Sequence, residues 1–292
     1  MKKIGQFLTC VLPLICAIGI QIIVASISII IFGIFQGIRL AATSGEMDIN
    51  VIANSLDGLM NSSAYLFITA ISAIVCGVVF GLWYRKILVG REKLKIKEVL
   101  TGKKVLFIIL LGIALNSGIS VVLNIVGSIK PEWFENYNEI MKQLGYGDSI
   151  ISMLLIVVIA PISEELICRG VILEKCRKVM PLFAANIIQA ILFGVYHMNV
   201  IQGIYAFVLG LFLGMVCIKT GSIYGAILLH IIFNLSGVFL ENILTENILP
   251  MKILMIGMGM VSLIIIVIST IMLLNEKDRE VDLGSVLEDK LL

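Results

Sequence analysis

The amino-acid sequence predicts an all-α fold: a polytopic transmembrane helical bundle of about eight spans, with both termini in the cytoplasm. Two observations carry this prediction. The chain of 292 residues is 59% hydrophobic and 14% charged, whereas soluble domains carry about 25% charged residues. Its apolar residues also gather in long runs that lack the period-two alternation of barrel strands, so the spans are predicted to be helices.

Eight apolar runs are interpreted as spans of a hydrocarbon core of about 30 Å, which takes roughly 20 helical residues. The first run follows Met1, Lys2 and Lys3 and is longer than the apolar part of a cleavable signal peptide, so we interpret it as a spanning helix. The runs lie near 6–36, 63–84, 105–129, 149–173, 182–198, 200–218, 221–240 and 253–274.

The orientation follows from the charged residues between the runs. Lysine and arginine gather in segment 85–104 and again at 175–178. Because cytoplasmic loops carry an excess of positive charge, both segments are expected inside, and an even number of spans then leaves both termini inside. The other loops are acidic and are expected outside; their carboxylates are Glu46, Asp48, Asp57, Glu132, Glu135, Glu139, Asp148, Glu241 and Glu246.

Three regions are distinguished by the motifs that they carry. Residues 1–148 contain N-terminal helices and loops without a recognised motif, 149–240 contain the candidate catalytic core, and 241–292 contain the last helix and a charged cytoplasmic tail. The net charge of +2 is spread without a basic stripe interleaved with aromatic residues. Nucleic acid is therefore not expected as a partner, whereas membrane lipid is.

Ionisable residues inside a membrane span are costly, so each is a candidate for function. Glu165 and Arg169 are four residues apart, and on a helix they are expected to form an ion pair. Glu164 is displaced by about 100° around the same helix and is therefore the freer carboxylate. Pro161 removes a helix hydrogen bond just before the two acids and is expected to kink the segment.

The chain has two histidines, and both lie in strongly apolar runs. His230 and Asn234 share one helical face. Glu164 with an imidazole could hold a water as general base, while the second imidazole and the amide donate to a developing oxyanion. Two imidazoles and a carboxylate could instead hold a hydrolytic zinc ion, with His197 and His230 as ligands. Spacing leaves both open, but an amide beside His230 suits an oxyanion donor better and favours the metal-independent mechanism.

The ionisable residues lie in three motifs that resemble the CAAX prenyl protease and bacteriocin-processing (CPBP, or Abi) family of intramembrane endopeptidases. The resemblance covers about residues 149–240. The motifs are Glu164-Glu165-Leu-Ile-Cys-Arg169, then Phe193-Gly-Val-Tyr-His197, then His230-Ile-Ile-Phe-Asn234.

This resemblance implies that Glu164 and His197 activate water and that His230 and Asn234 support the oxyanion. It also implies that Glu165 and Arg169 support the site. Family members have been described both as metalloproteases and as metal-independent glutamate proteases, so the resemblance leaves the use of zinc open.

The function expected from these residues is hydrolysis of a peptide bond in a peptide or lipidated-protein substrate. A bacterial cell membrane is the expected location, with a role in peptide-signal or bacteriocin processing or in self-immunity. One alternative is a transporter that uses buried Glu, His and Arg, although no inverted repeat is visible. Another is a non-catalytic immunity or binding member of the family.

The predicted depths of the site residues disagree. Counting about 1.5 Å per residue from the cytoplasmic ends, Glu164 and His230 fall near mid-membrane, whereas His197 falls roughly 8 Å nearer the outer face. Tilt or a recessed start of run 182–198 would remove this mismatch. Without either, His197 would not be a partner of Glu164.

Overall fold

The chain folds into helices that pack side by side. The structure is a computed structural model that describes residues 2–44, 63–89, 96–145, 149–244 and 249–275. No strand occurs in these ranges, and the all-α prediction is confirmed. Their helices are α1 (Lys2–Ser44), α2 (Ser63–Ile87), α3 (Ile96–Val99), α4 (Gly102–Ile129), α5 (Glu135–Gln143), α6 (Ile150–Cys176), α7 (Leu182–Tyr196), α8 (Val200–Thr220), α9 (Ile223–Leu244) and α10 (Leu249–Asn275).

Each of the eight predicted runs coincides with one of the longer helices. Six helices in the described part of the chain, α1, α2, α4, α6, α8 and α10, are long and apolar enough to cross a membrane. The chain is an integral membrane protein. The remaining two, α7 and the stretch Ile223–Phe239 of α9, are apolar but shorter. The 15 residues of α7 rise only about 22 Å, less than a hydrocarbon core of about 30 Å.

The outer surface of the bundle suits a lipid solvent. Side chains that α1 and α10 turn outward are large and apolar, such as Ile31 at 62% and Leu263 at 63% exposure. The cytoplasmic location of the termini remains a prediction. The charged tail after Asn275, and the predicted outer residues Glu46, Asp48 and Asp57, lie outside the described residues.

The core is formed mainly by buried residues of α1, α2, α4, α6, α7, α8 and α9. Helices α7 and α8 approach closely because Gly194 and Gly203 face each other: a Cβ on either residue would lie 2.6 or 2.9 Å from the other's carbonyl oxygen. Only a hydrogen at both positions allows this distance. The contact fixes the end of α7, and with it His197, against the start of α8.

Helix α6 is irregular around its proline. Residues Leu155–Ile159 and Leu166–Leu173 form π-helical turns, and Pro161 lies in the α-helical segment between them. The N–H of Ala160 bonds the carbonyl of Leu155, five residues back. The helix nevertheless continues to Cys176. A widened turn at the proline is therefore how α6 accommodates the missing N–H.

Candidate active site

A cavity of about 890 Å³ opens inside the bundle and is lined by residues from α1, α2, α4, α5, α6, α8 and α9 and from the end of α7. The four residues predicted to be catalytic, Glu164, His197, His230 and Asn234, all line this cavity. The two predicted support residues, Glu165 and Arg169, lie behind its wall, and both side chains are fully buried. The folded chain thus brings all six residues to one region.

Glu165 is held by two cationic or potentially cationic partners. Its Oε1 accepts a hydrogen bond from Nη1 of Arg169 at 2.9 Å, which is the ion pair expected from the four-residue spacing. The same oxygen lies 2.8 Å from Nδ1 of His230 on α9. A carboxylate only accepts, so His230 donates through Nδ1. This second contact joins two distant helices and was not expected from the sequence.

Arg169 is compensated on three sides. Besides the ion pair, its Nη2 donates to the carbonyl oxygen of Gly210 at 3.0 Å. Its guanidinium carbon lies 4.6 Å from the centre of the Phe193 ring. A buried charge is tolerated when its hydrogen-bond donors are bonded and a counter-charge is close. Both conditions are met for Nη1 and Nη2 of Arg169.

A set of amide side chains supports the Gly210 carbonyl. Gln189 is fully buried, and its Nε2 lies 2.9 Å from the Gly210 oxygen and 2.7 Å from Oδ1 of Asn186. The amide of Asn186 in turn donates to the Leu211 carbonyl at 3.0 Å. These contacts were not predicted from the sequence. The only indication in the sequence was the presence of two amides in the otherwise apolar run of α7.

Glu164 faces the cavity, as its helical offset predicted. Its side chain is 16% exposed, whereas that of Glu165 is fully buried. Its Oε2 lies 3.6 Å from Nε2 of His230, whose Nδ1 is already committed to Glu165. One imidazole therefore lies between two carboxylates. A doubly protonated ring would satisfy both of them.

His197 lies at the end of α7, where its Nδ1 is 2.9 Å from the carbonyl oxygen of Phe193. A carbonyl only accepts, so the proton is on Nδ1, and Nε2 carries the lone pair. The Phe193 ring packs edge-on against both imidazoles, with centroids 4.8 Å from His197 and 5.8 Å from His230. The predicted difference in depth thus does not separate the two histidines.

The turn between α7 and α8 is tight. Met198 adopts a left-handed backbone with φ of 51°, a conformation that costs a side-chain-bearing residue roughly 1–2 kcal/mol. Asn199 then caps α8 by accepting the N–H of Gln202 at 3.0 Å. The strained residue directly follows His197. The conformational cost at Met198 is offset by the close contact of Gly194 with Gly203 and by the Asn199 cap.

Asn234 donates through Nδ2 to the carbonyl oxygen of Ile156 at 2.8 Å. In the π-helical turn each carbonyl pairs with the N–H five residues later, and for Ile156 that residue is Pro161, which has none. Ala160 does not replace it, because its N–H bonds Leu155. Asn234 therefore supplies the partner that Pro161 lacks, and one amide hydrogen remains for the cavity.

Within the part of the chain that the structure describes, no three His, Cys, Asp or Glu side chains are grouped so that they could hold a metal ion. Nδ1 of His230 is bonded to Glu165, while its Nε2 faces Glu164 Oε2 at 3.6 Å. A carboxylate behind a histidine ring is also found in zinc sites, so the use of a metal ion by His197 and His230 stays a prediction.

A comparison with protein families agrees with this geometry. Residues 146–236 match the family model described as type II CAAX prenyl endopeptidase Rce1-like. We refer to these matched residues as the Rce1-like domain. Comparison with curated proteins and comparison with solved structures gave no match. The resemblance noted in the sequence is thereby confirmed, and the Rce1-like domain contains all six candidate residues.

Proposed function

We propose that the chain is an intramembrane endopeptidase that hydrolyses a peptide bond in a peptide or lipidated-protein substrate. The observation that carries the proposal is the convergence of Glu164, His197 and His230 on one cavity inside a membrane bundle. The Rce1-like domain supports a protease of the CAAX type. We further propose a bacterial cell membrane as the location, with peptide-signal processing, bacteriocin processing or self-immunity as the role.

Glu164 acts as the general base in the proposed mechanism. It is the carboxylate that reaches the cavity, while Glu165 is engaged behind the wall. The lone pair on His197 Nε2 accepts one hydrogen of a water molecule, and Glu164 accepts the other. The water oxygen then attacks the carbonyl carbon of the scissile bond as its proton passes to Glu164.

The tetrahedral intermediate collapses by returning that proton. Glu164 transfers it to the amide nitrogen, the C–N bond breaks, and the products are a carboxylic acid and an amine. The protein thus contributes orientation and proton transfer, and atoms and charges balance without a further reactant. General acid–base catalysis of this type contributes roughly 10²–10⁴-fold to the rate.

His230 and Asn234 support the oxyanion in this proposal. When its ring is doubly protonated, His230 carries an Nε2–H on the side of Glu164, from which it can donate to the oxyanion. The second amide hydrogen of Asn234 is available from the same helix, since its first bonds Ile156. Donors held in place before reaction stabilise developing charge at little reorganisation cost.

Glu165 and Arg169 hold this arrangement from behind. Glu165 fixes the His230 ring through Nδ1, and Arg169 neutralises Glu165. The pair therefore acts through His230.

Two observations bear on the competing functions. Among the described residues that line the cavity, Glu164 and the two histidines are the only ionisable groups besides tyrosines, which argues against a transporter with a chain of ion sites. The candidate catalytic residues are all present, which argues against a non-catalytic member of the family.

The proposal is tested with purified chain reconstituted in vesicles. A panel of quenched fluorescent peptides, with and without a prenylated cysteine, is incubated with the chain, and products are sequenced by mass spectrometry. We expect cleavage that is lost in Glu164→Gln and retained in metal-free protein with chelator present. Zinc-reversible loss of activity with chelator would instead establish a metalloprotease, and vesicle uptake without cleavage would establish a transporter.

A further inference from the structure

One wall of the cavity is a row of polar side chains on α4. Asn116, Ser120, Asn124 and Ser128 are spaced four residues apart, and all four line the cavity. Ser120 donates to Oδ1 of Asn116 at 3.5 Å, the amide of Asn124 donates to the Ser120 carbonyl at 3.0 Å, and Ser128 donates to the Asn124 carbonyl at 2.8 Å. We refer to these four residues as the α4 ladder.

The α4 ladder leads from the candidate active site to the far end of the cavity. One turn before Asn116, Gly112 packs against Ile232 and the Leu229 carbonyl, which flank His230. At the other end, Gly127 packs beneath the Phe134 ring, at the start of α5. The 12 helical steps from Asn116 to Ser128 rise about 18 Å. That length matches five or six residues of an extended peptide.

Helix packing does not account for the α4 ladder. Polar side chains in membrane helices commonly bond a neighbouring helix. Among the described residues, the hydrogen bonds of these four side chains stay within α4, and Gly118, on another face, is the residue that packs against Ser262 of α10. The ladder face therefore turns to the cavity rather than to a neighbour.

The rest of the cavity is lined mostly by apolar groups, and its other polar groups are largely uncharged. Of the described residues that line it, Glu164 is the one carboxylate, and none is a lysine or arginine. Six residues with hydroxyl or amide groups on α2, α5 and α8 also line the cavity: Tyr65, Thr69, Tyr137, Asn138, Gln202 and Tyr205. Amides and hydroxyls both donate and accept, which is what the alternating N–H and C=O groups of a peptide need.

We propose that the α4 ladder binds the backbone of an uncharged, extended peptide segment and guides it from the α5 end of the cavity to Glu164. This rests on the proposed function and adds the substrate-binding wall and its specificity. An isoprenoid chain has no group for the ladder to bond. A charged side chain would leave water for a cavity in which Glu164, at the active-site end, is the one carboxylate among the described lining residues and no lysine or arginine is present, so charged residues beside the α4 ladder are disfavoured.

The test uses photocrosslinking to the purified full chain in detergent. The probes are three N-acetylated, C-amidated hexapeptides that carry one benzophenone: one of Ser, Gly, Asn and Ala, one with two of these replaced by Lys, and one with two replaced by Asp. A benzophenone farnesyl ether is the fourth probe. Dissociation constants come from the concentration dependence of crosslinking, and crosslinked residues from mass spectrometry.

The ladder variant is Asn116→Leu with Asn124→Leu, and Ser120→Ala with Ser128→Ala is a second, milder variant. Val122→Leu with Ile125→Leu is the matched control on the outward face of α4, where both residues are exposed. We expect the neutral peptide to crosslink within 116–128. The ladder variant should weaken it roughly 10- to 100-fold, the effect of two lost hydrogen bonds, while the control leaves it unchanged.

Equal binding of charged and neutral peptides, an unchanged dissociation constant in a folded ladder variant, or crosslinking by the farnesyl probe alone would each overturn this inference. Cleavage assays separate it from the proposed function. If the wild type cleaves peptides and the folded ladder variants keep their KM, the α4 ladder is not the binding wall but the endopeptidase stands. If peptides bind at the ladder and nothing is cleaved, the endopeptidase fails and the binding site stands.

Discussion

His230 and Glu165 are joined by a hydrogen bond of 2.8 Å between Nδ1 and Oε1, which connects α9 to α6 across 65 residues of sequence. This contact gives the adjacent glutamates different environments. Glu165 is enclosed by His230 and Arg169, whereas Glu164 faces the cavity. Substitutions at the two glutamates are therefore expected to have different effects on stability and on activity.

Arg169→Ala is expected to destabilise the fold. It leaves the Glu165 carboxylate buried without its guanidinium partner, and breaking a buried ion pair costs roughly 3–5 kcal/mol. Thermal melts in detergent measure the loss. The matched control is Lys130→Ala, because Lys130 and Glu132 form an ion pair at 3.8 Å whose side chains are 53% and 55% exposed; its loss should cost about 1 kcal/mol or less.

The double variant Glu165→Gln with Arg169→Met tests the reason for that loss. Without either charge nothing remains uncompensated, and an amide oxygen at position 165 still accepts from His230. We expect the double variant to recover part of the stability lost in Arg169→Ala. A double variant as unstable as the single one would show that packing, rather than the unpaired carboxylate, sets the cost.

Asn234→Ala is expected to cost about 1–3 kcal/mol, because the Ile156 carbonyl then loses its donor. Pro161→Ala in the same chain supplies a backbone N–H at the position that Ile156 pairs with in a π-helical turn. The double variant should therefore recover stability in thermal melts. Activity separates the roles of Asn234: if it also supports the oxyanion, cleavage stays low in the stabilised double variant, and if it only holds α6, cleavage returns.

Sequence reasoning predicted those parts of the structure that depend on local spacing. The apolar runs predicted the helices, the four-residue offset predicted the Glu165–Arg169 pair, and the offset of Glu164 predicted that it faces away from that pair. Each of these follows from helix geometry alone. The length of α7 was not predicted, because the apolar run 182–198 extends beyond the end of the helix at Tyr196 and into the turn at Met198.

The spacing of residues along the sequence does not predict contacts between distant helices. His230 was expected to act with Asn234, and its bond to Glu165 depends on how α9 packs against α6. Asn234 was expected to face the oxyanion, yet one of its amide hydrogens bonds the Ile156 carbonyl. This bond depends on a π-helical turn in α6, which the residue pattern does not predict. Gln189 and Asn186 were overlooked because amides in an apolar helix are compatible with many environments.

Gly214→Ala is expected to disrupt the amide network behind Arg169. A Cβ at this position would collide with Oδ1 of Asn186 and lie 2.5 Å from Nε2 of Gln189, so both amides must move from the carbonyls that they hold. Gly257→Ala on α10 is the control, since nothing lies within 4 Å of its Cβ; there alanine should stabilise the helix by roughly 0.5–1 kcal/mol. Opposite shifts in melting temperature are predicted, and equal shifts would contradict the close packing.

The predicted orientation is tested with single cysteines and an impermeant thiol reagent. Cysteines at Lys95, which lies outside the described residues, and at Lys178 should label only after permeabilisation, because both lie in cation-rich segments. A cysteine at Glu135, at the start of α5, should label in intact cells. The reverse pattern would invert the orientation and place the α5 end of the cavity in the cytoplasm.

The central claim is that Glu164 is the base and Glu165 the structural carboxylate. The most direct measurement compares Glu164→Gln with Glu165→Gln in the same cleavage assay and the same thermal melts. We predict that Glu164→Gln melts like the wild type and loses roughly 100-fold or more of its kcat, while Glu165→Gln melts lower because Arg169 is left without its carboxylate. An active Glu164→Gln beside an inactive but wild-type-stable Glu165→Gln would contradict the account.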